Sequence, residues 1–288
     1  MIKVKFTWKW TNSYLLNRRI VSNYVTEDNY NENILFTHGN DYDYLFAING
    51  LGESPLVGPD KIFTFIMEPS WSLNWDRNCF NYSNKVFVHD KILYGNYDNI
   101  VECPSFMFYH MDYNNHTIMD LLNNDNYEKT KKISMVVSYT PGDDRYNYGK
   151  RTNLALKIIE KGLNVDIYGN NWSNTSNNIK GPVLDKYNAL CDYRYSIGIE
   201  NCCEKNYLSE KFFDTTLCNG VPIYYGTPNV NEIFDNYISI DINNIEMCLD
   251  TISDLLSNQD IDYDKIKLDK LKYFNNYNIY NTIKQIVL

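Results

Sequence analysis

The stretch from residue 195 to residue 229 constrains the fold of this chain more than any other part. It reads YSIGIENCCEKNYLSEKFFDTTLCNGVPIYYGTPN. An apolar strand, Tyr195–Ile199, leads through a polar turn into a predicted helix, Ser209–Cys218, and a second apolar strand, Val221–Tyr225. Strand, helix and strand in this order are typical of a parallel sheet. The polar turn lies where open α/β sheets bind phosphorylated ligands, so a ligand site is predicted there.

The rest of the second half repeats this alternation of strands and helices. Apolar runs at Ile133–Val137, Val165–Tyr168 and Ile238–Ile240 predict further strands. Helices are predicted over Arg151–Lys161 and Ile245–Leu256, because each places leucine and isoleucine on one face. Strands that alternate with helices form parallel sheets, so the second half is predicted to be a Rossmann-like domain.

The first half is predicted to contain a sheet that is covered on both faces, because its apolar runs are short and uniformly apolar. The predicted strands are Lys3–Trp8, Leu35–His38, Tyr44–Ile48, Ile62–Met67 and Val86–His89. Glu68 comes directly after the fourth strand, and Pro69 then ends regular strand pairing. A carboxylate at the carboxyl end of a parallel strand is a candidate site residue, although a single one is more often a solvated loop charge.

A strongly polar segment, residues 114–132, separates the two halves. A chain of 288 residues is long for one core and suits two domains of about 100–150 residues. We therefore predict one α/β domain over residues 1–128 and a second over residues 129–262. Residues 263–288 are predicted to be helical and to pack back across the boundary.

The charge balance argues against a nucleic-acid-binding protein. The chain has 27 basic and 36 acidic residues, and the surplus that gives the net charge of −9 is spread along the chain without a basic face. A few local cations and backbone N–H groups could still hold an anionic ligand.

Cysteine usage and hydropathy are those expected of a cytoplasmic protein. The 7 cysteines are an odd number without the spacing of a zinc site, which indicates reduced thiols. The start, MIKVKFTWKW, alternates like a strand and lacks the apolar core of a signal peptide. No apolar run approaches the roughly eighteen residues that span a bilayer, so no membrane anchor is expected.

Charged and polar side chains cluster at the start of the helix predicted over Ser209–Cys218. Glu210 and Lys211 lie in its first turn, and Asn201 and Tyr207 precede it. A cation and several donors at a helix N-terminus can hold a diphosphate, and a carboxylate there can accept hydrogen bonds from ribose or sugar hydroxyls. Glu210 could simply complement the helix dipole, but a lysine in the first turn opposes that dipole, which favours a ligand.

Other candidate residues carry weaker signals. Arg151, near the start of its helix, could bind a phosphate or lie exposed. Asp41 and Asp43 have the spacing used by metal-dependent sugar transferases, but they lie in an early polar loop, and no metal site is predicted. Neither a glycine-rich dinucleotide motif nor a P-loop occurs. Three scattered histidines are interpreted as edge or packing residues: His38, His89 and His110.

Four motifs of the second half together resemble one known family. They are ENC at 200–202, YLSEK at 207–211, VPIYYG at 221–226 and PN at 228–229. In this order and spacing they resemble the family 10 glycosyltransferases, the α1,3/α1,4-fucosyltransferases. The family has serine at the place of Cys202, threonine at that of Ser209 and aspartate at that of Asn206. The resemblance is good from about residue 130 to about residue 257, and before that it is confined to Met67-Glu68-Pro69.

This resemblance implies a GT-B fold, in which two Rossmann-like α/β/α domains face a cleft. The first domain would lie on the acceptor side, and the second would hold the nucleotide sugar. The implied reaction is transfer of L-fucose from GDP-fucose to a hydroxyl of a glycan acceptor, with inversion. GDP-fucose would be a donor substrate, and no cofactor or metal would be required.

Residue by residue, the resemblance implies a two-sided site. Lys211 and Arg151 would neutralise the diphosphate, Glu210 would hold ribose or sugar hydroxyls, and Glu68 would be the general base. The implied donor-binding residues are Arg151, Glu200, Asn201, Tyr207, Ser209, Glu210 and Lys211.

Two alternatives stay open on the sequence. The same scaffold could use another nucleotide sugar, such as GDP-mannose or a dTDP-deoxyhexose. The chain could also be a catalytically inactive, glycan-binding relative, although the presence of Glu200, Lys211 and Arg151 together with Glu68 argues against it.

Overall fold

A computed structural model describes residues 1–25, 27, 29–104, 116–125, 127–142, 146–173, 175–257 and 261–288. In this part of the chain, two parallel sheets of six strands form, one from each half. Among the described helices, none combines the length and apolarity that crossing a bilayer requires.

The first sheet is built from short strands that are buried along most of their length. Its strands and the helices of the first half are β1 (Ile2–Trp8), α1 (Ser13–Tyr24), β2 (Ile34–Phe36), β3 (Tyr44–Ile48), β4 (Ile62–Phe65), α2 (Cys79–Tyr82), β5 (Lys85–Val88), β6 (Ile100–Glu102) and α3 (Ile118–Leu122). The strand order is β2-β1-β3-β4-β5-β6. Phe6, Phe46 and Phe65 pack against one another across three neighbouring strands, which explains why these runs are uniformly apolar.

The second sheet contains the strand–helix–strand stretch of residues 195–229. Its elements are β7 (Lys131–Val136), α4 (Tyr148–Glu160), β8 (Val165–Tyr168), β9 (Ile179–Gly181), β10 (Tyr193–Ile199), α5 (Glu210–Leu217), β11 (Val221–Tyr225), α6 (Val230–Ile233), β12 (Ile238–Ser239), α7 (Ile245–Ser257), α8 (Tyr263–Asn276) and α9 (Ile279–Val287). The strand order is β12-β11-β10-β7-β8-β9. The chain therefore leaves β7 towards β8 and later returns to its other side with β10, so the order reverses between β7 and β10.

The last two helices pack on different halves. In α8, Tyr273 stacks on Phe213 of α5, with ring centroids 3.9 Å apart. In α9, Ile279 and Ile283 enter the core of the first sheet, and the side-chain amide of Asn278 donates to the Tyr24 carbonyl at 3.0 Å. The chain thus returns to the first sheet at its C-terminus, while the domain limits at residues 128 and 262 stay a prediction.

The predicted strands lie within two residues of the observed bounds, and α1, β6 and β9 are among the elements that were not predicted. Helix α1 was not predicted because its buried face contains Asn17 beside Leu16 and Ile20, so the apolar pattern is interrupted. Strands β6 and β9 have three residues each, too few to show a period.

Candidate active site

The predicted donor residues meet at the point where the strand order of the second sheet reverses. Gly198 of β10 makes this possible, because a Cβ atom at this position would lie 2.2 Å from the carbonyl oxygen of Lys211. The missing side chain lets the first turn of α5 approach the strand closely. Helix α4 follows β7 and helix α5 follows β10, and these strands are parallel, so both helices direct their N-termini to the same edge of the sheet.

Glu200 fixes the start of α5. It follows β10 directly, and its side chain is fully buried. One carboxylate oxygen accepts from the backbone N–H of Ser209 at 2.8 Å, and the other accepts from the Ser209 hydroxyl at 2.6 Å. Ser209 is the N-cap of α5, so Glu200 acts as an anchor for the helix. Burial raises the pKa of Glu200, and the nearby Lys211 partly offsets that effect.

Lys211 is the cation of this network, and its side chain is only 19% exposed. Its Nζ lies 2.9 Å from Glu210 Oε1 and 3.8 Å from Glu200 Oε2. Burial lowers the pKa of Lys211, but Glu210 and Glu200 outweigh it, so that the pKa ends above its ordinary value. The ammonium group is therefore charged throughout the physiological pH range.

Arg151, from the first turn of α4, brings a second cation to the same place. Its Nη2 donates to Asn201 Oδ1 at 2.7 Å, and its guanidinium carbon lies 4.7 Å from the centre of the Tyr148 ring. Burial lowers the pKa of Arg151, although an arginine remains protonated in proteins. Arg151 and Lys211 line one small cavity over Ile197.

A larger cleft opens beside Arg151, at the carboxyl ends of β7 and β8. Its volume is about 320 Å³, which lies within the range of small-molecule sites. Ser138, Thr140, Tyr148, Gly169 and Asn170 are among its lining residues. Arg151 thus lies at a space of ligand size, and it shares the smaller cavity with Lys211.

Tyr207 connects the two sides of the site. Its side chain is buried, and burial raises its pKa well above the ordinary value, with further contributions from Glu200, Glu68 and Glu210. The Tyr207 ring also packs edge-on against His89 of the first half, with ring centroids 5.2 Å apart.

Glu68 lies in the loop after β4, as predicted. Its carboxylate accepts a hydrogen bond from the Ser72 hydroxyl at 3.1 Å, and its carbonyl accepts one from the Tyr94 hydroxyl at 3.3 Å. The loop that carries Glu68 contacts the donor-binding half, since Ser70 binds Glu204. Whether each of these residues has its predicted role stays a prediction.

Glu204 was not among the residues predicted from the sequence. This carboxylate lies in the turn between β10 and α5, yet it contacts Ser70 and His89 of the first half. The sequence offered one signal for Glu204, since it is an acidic residue in the polar turn where a ligand site was predicted. His89 is buried and packs on Tyr94 and Tyr207, as a packing residue does, but it also binds Glu204.

The remaining candidates lie elsewhere. Asp41 and Asp43 both bind Lys3, the first through its ammonium group and the second through its backbone N–H. His38 packs edge-on against Tyr14, and His110 lies outside the described residues.

Solved structures share the fold of this chain. An α1,3-fucosyltransferase crystallised with GDP-fucose superposes with a TM-score of 0.51 at 16% identity, over 97% of this chain and 92% of that one. TarM of S. aureus superposes with a TM-score of 0.53 at 14% identity, over 84% of this chain and 54% of that one. The predicted GT-B fold of two facing α/β domains is thereby confirmed.

Sequence comparisons then identify the family. The model of glycosyltransferase family 10 (fucosyltransferase), C-terminal part, matches residues 126–280, which is more than half of the chain. The chain therefore belongs to glycosyltransferase family 10, as its motifs predicted.

Curated relatives match over shorter segments. A fucosyltransferase-like protein of Arabidopsis thaliana is 35% identical over 86 residues, which are 30% of this chain and 16% of that protein. Alpha-(1,3)-fucosyltransferase B of Drosophila melanogaster is 27% identical over 134 residues, which are 42% of this chain and 30% of that protein. The matched segments thus span less than a third of either relative.

Proposed function

We propose that this glycosyltransferase transfers L-fucose from GDP-fucose to a hydroxyl group of a glycan, with inversion at the fucose C1. The observation that carries the proposal is the meeting of Arg151 and Lys211 over one cavity, near the N-termini of two helices. Membership in a fucosyltransferase family supports the choice of sugar.

In this proposal the second half binds the donor. Lys211 and Arg151 neutralise the diphosphate, helped by the helix N-termini on which they lie. Glu210 accepts hydrogen bonds from ribose or sugar hydroxyls, and Asn201 holds the guanidinium of Arg151 in place. Glu200 and Ser209 fix the helix that presents Lys211.

The first half supplies the base. Glu68 removes the proton of the attacking acceptor hydroxyl while the bond between fucose C1 and the GDP oxygen breaks. Positive charge develops on the sugar ring, and negative charge on the departing GDP is stabilised by the two cations. A single displacement by the acceptor oxygen, from the face opposite the departing GDP, inverts the configuration at C1.

The same arrangement leads to an expectation about metal ions. Arg151 and Lys211 together can balance the two charges of a diphosphate, a role that a divalent cation has in other transferases. We expect full transfer activity in the presence of EDTA. A glycan with a terminal hexosamine or galactose-type unit is the proposed acceptor, and the closing of the cleft around it would limit hydrolysis of the donor.

A panel of nucleotide sugars tests the proposal. Ligand binding to the native state raises the melting temperature, so GDP-fucose should raise it by several degrees at saturation. Each nucleotide sugar that raises the melting temperature is then tested as a donor for sugar transfer to a glycan array. A response to GDP-mannose or a dTDP-deoxyhexose alone would reassign the donor, and donor binding without any transfer would indicate an inactive relative.

A further inference from the structure

Glu204 joins the two halves of the molecule at the side of the predicted base. Its carboxylate accepts hydrogen bonds from the backbone N–H of Ser70 at 2.9 Å and from the Ser70 hydroxyl at 2.6 Å. The Nε2 atom of His89 lies 2.6 Å from the same carboxylate. Glu204 lies in the turn after β10 of the second half, whereas Ser70 and His89 lie in loops of the first half.

The loop that Ser70 belongs to, residues 68–72, behaves as one braced unit. Arg77 donates to the carbonyls of Ser70 and Ser72, at 2.7 and 2.9 Å. The Trp75 indole N–H donates to the carbonyl of Pro69 at 3.2 Å. Because these hydrogen bonds hold the loop along its length, a displacement of Ser70 would also displace Glu68.

A second connection runs from Glu204 through His89. The Nδ1 atom of His89 lies 3.2 Å from the Tyr94 hydroxyl, and this hydroxyl is also 3.3 Å from the Glu68 carbonyl oxygen. His89 is completely buried, so these contacts are shielded from water. Glu204 therefore reaches the backbone around Glu68 by two routes.

We propose that Glu204 is a positioning residue that fixes the Glu68 loop against the donor-binding half. The turn that carries Glu204 also carries Glu200, which anchors α5. One turn thus sets the distance between the general base and the helix that presents Lys211. This inference rests on the proposed function for its catalytic consequence, but not for the contact itself.

The ionisation of Glu204 agrees with this role. Burial would raise its pKa, but the hydrogen bonds from His89 and Ser70 outweigh burial, and the pKa lies below its ordinary value. The carboxylate is therefore ionised at neutral pH and can accept all three hydrogen bonds at once.

Two substitutions at this position separate geometry from charge. Glu204→Ala removes all three hydrogen bonds. Glu204→Gln can keep them, because its amide oxygen can accept from His89 and from the Ser70 N–H while its NH₂ group donates to the Ser70 hydroxyl. Lys205→Ala is the matched control, since it breaks the neighbouring exposed ion pair with Glu102, at 2.8 Å, which also joins the two halves.

The experiment measures kcat for fucosyl transfer and the calorimetric Kd for GDP-fucose in these variants. Glu204→Ala should lower kcat about 10- to 100-fold, because a small displacement of the base has this effect, and the Kd should stay within about twofold of the wild type. Glu204→Gln should retain most of the rate, and Lys205→Ala should change neither quantity.

Amide hydrogen exchange adds a readout that does not depend on activity. In Glu204→Ala, exchange in residues 68–72 should become faster, with α5 unchanged. If the wild type does not transfer fucose, the proposed function fails, and the exchange result alone still decides whether Glu204 holds the loop. Should Glu204→Ala not fold, Ser70→Ala removes one of the hydrogen bonds from the other side and should lower kcat severalfold at unchanged Kd.

Three results would overturn the proposal. The first is a kcat equal to that of the wild type in Glu204→Ala. If Glu204→Ala does not fold, the same result in Ser70→Ala has this meaning. Another is an equal loss of kcat and donor affinity, which would indicate a general role in folding. The third is a lower kcat with unchanged exchange in the Glu68 loop, which would indicate that the charge of Glu204 acts directly.

Discussion

The two sides of the proposed active site are built in different ways. On the donor side, Glu200, Ser209 and Lys211 lie within one short stretch of sequence and hold one another through close contacts. On the base side, Glu68 lies in a loop whose position depends on Arg77, on Tyr94 and on Glu204 of the other half. Around the start of α5 the donor side is therefore organised locally, with only Arg151 coming from a distant part of the sequence. The base side is organised by contacts between distant parts of the chain.

This difference has consequences for substitutions. A buried carboxylate such as Glu200 is tolerated only while its partners remain, and breaking a buried charge network costs about 3–5 kcal/mol. Changes on the donor side should therefore affect binding and stability together. Changes on the base side should affect the rate and leave donor binding intact.

The largest effect is expected from Lys211→Ala. It removes the cation shared by Glu200 and Glu210 and leaves two carboxylates facing an anionic diphosphate. GDP-fucose binding should fall below detection in a calorimetric titration at a temperature where circular dichroism shows a folded variant. Lys157→Ala, which changes an exposed lysine on α4, is the control. Unchanged donor affinity in Lys211→Ala would remove the donor assignment.

A smaller effect is expected from Arg151→Lys, which keeps the charge but loses the planar guanidinium. A hydrogen bond to a charged group contributes about 1.5–3 kcal/mol, so donor affinity should fall about 10- to 100-fold. Lys150→Ala, at the exposed neighbouring position, should bind the donor as the wild type does. If Arg151→Lys bound GDP-fucose normally, Arg151 would have only a structural role.

The smallest of these effects is expected from Gly198→Ala. The added methyl group would meet the carbonyl of Lys211 at 2.2 Å, so α5 must shift. The free energy of unfolding should fall by about 1–3 kcal/mol in a denaturant titration, with a modest loss of donor affinity. Gly39→Ala is the control, because its nearest contact would be an ordinary 3.8 Å. Equal stability of the two variants would contradict the close approach of β10 and α5.

The contrast between the two sides also explains what the sequence could predict. The strands were predictable because their apolar runs are buried on both faces, and the donor residues between Glu200 and Lys211 because they are neighbours in a recognisable motif. Glu68 was visible only as a carboxylate at the end of a strand. The pairing of Glu204 with His89 was not, because 115 residues separate them and no local pattern encodes how two domains face each other.

The donor affinity and the transfer rate of Glu68→Gln, measured on the same preparation, test the two-sided site most directly. Glutamine keeps the size of the side chain and can still accept from the Ser72 hydroxyl, but it cannot act as a base. The Kd for GDP-fucose should match the wild type, while kcat falls by about two to four orders of magnitude. Normal turnover would show that another residue is the base. Loss of donor binding would show that donor binding and proton removal are not separated between the two halves as proposed.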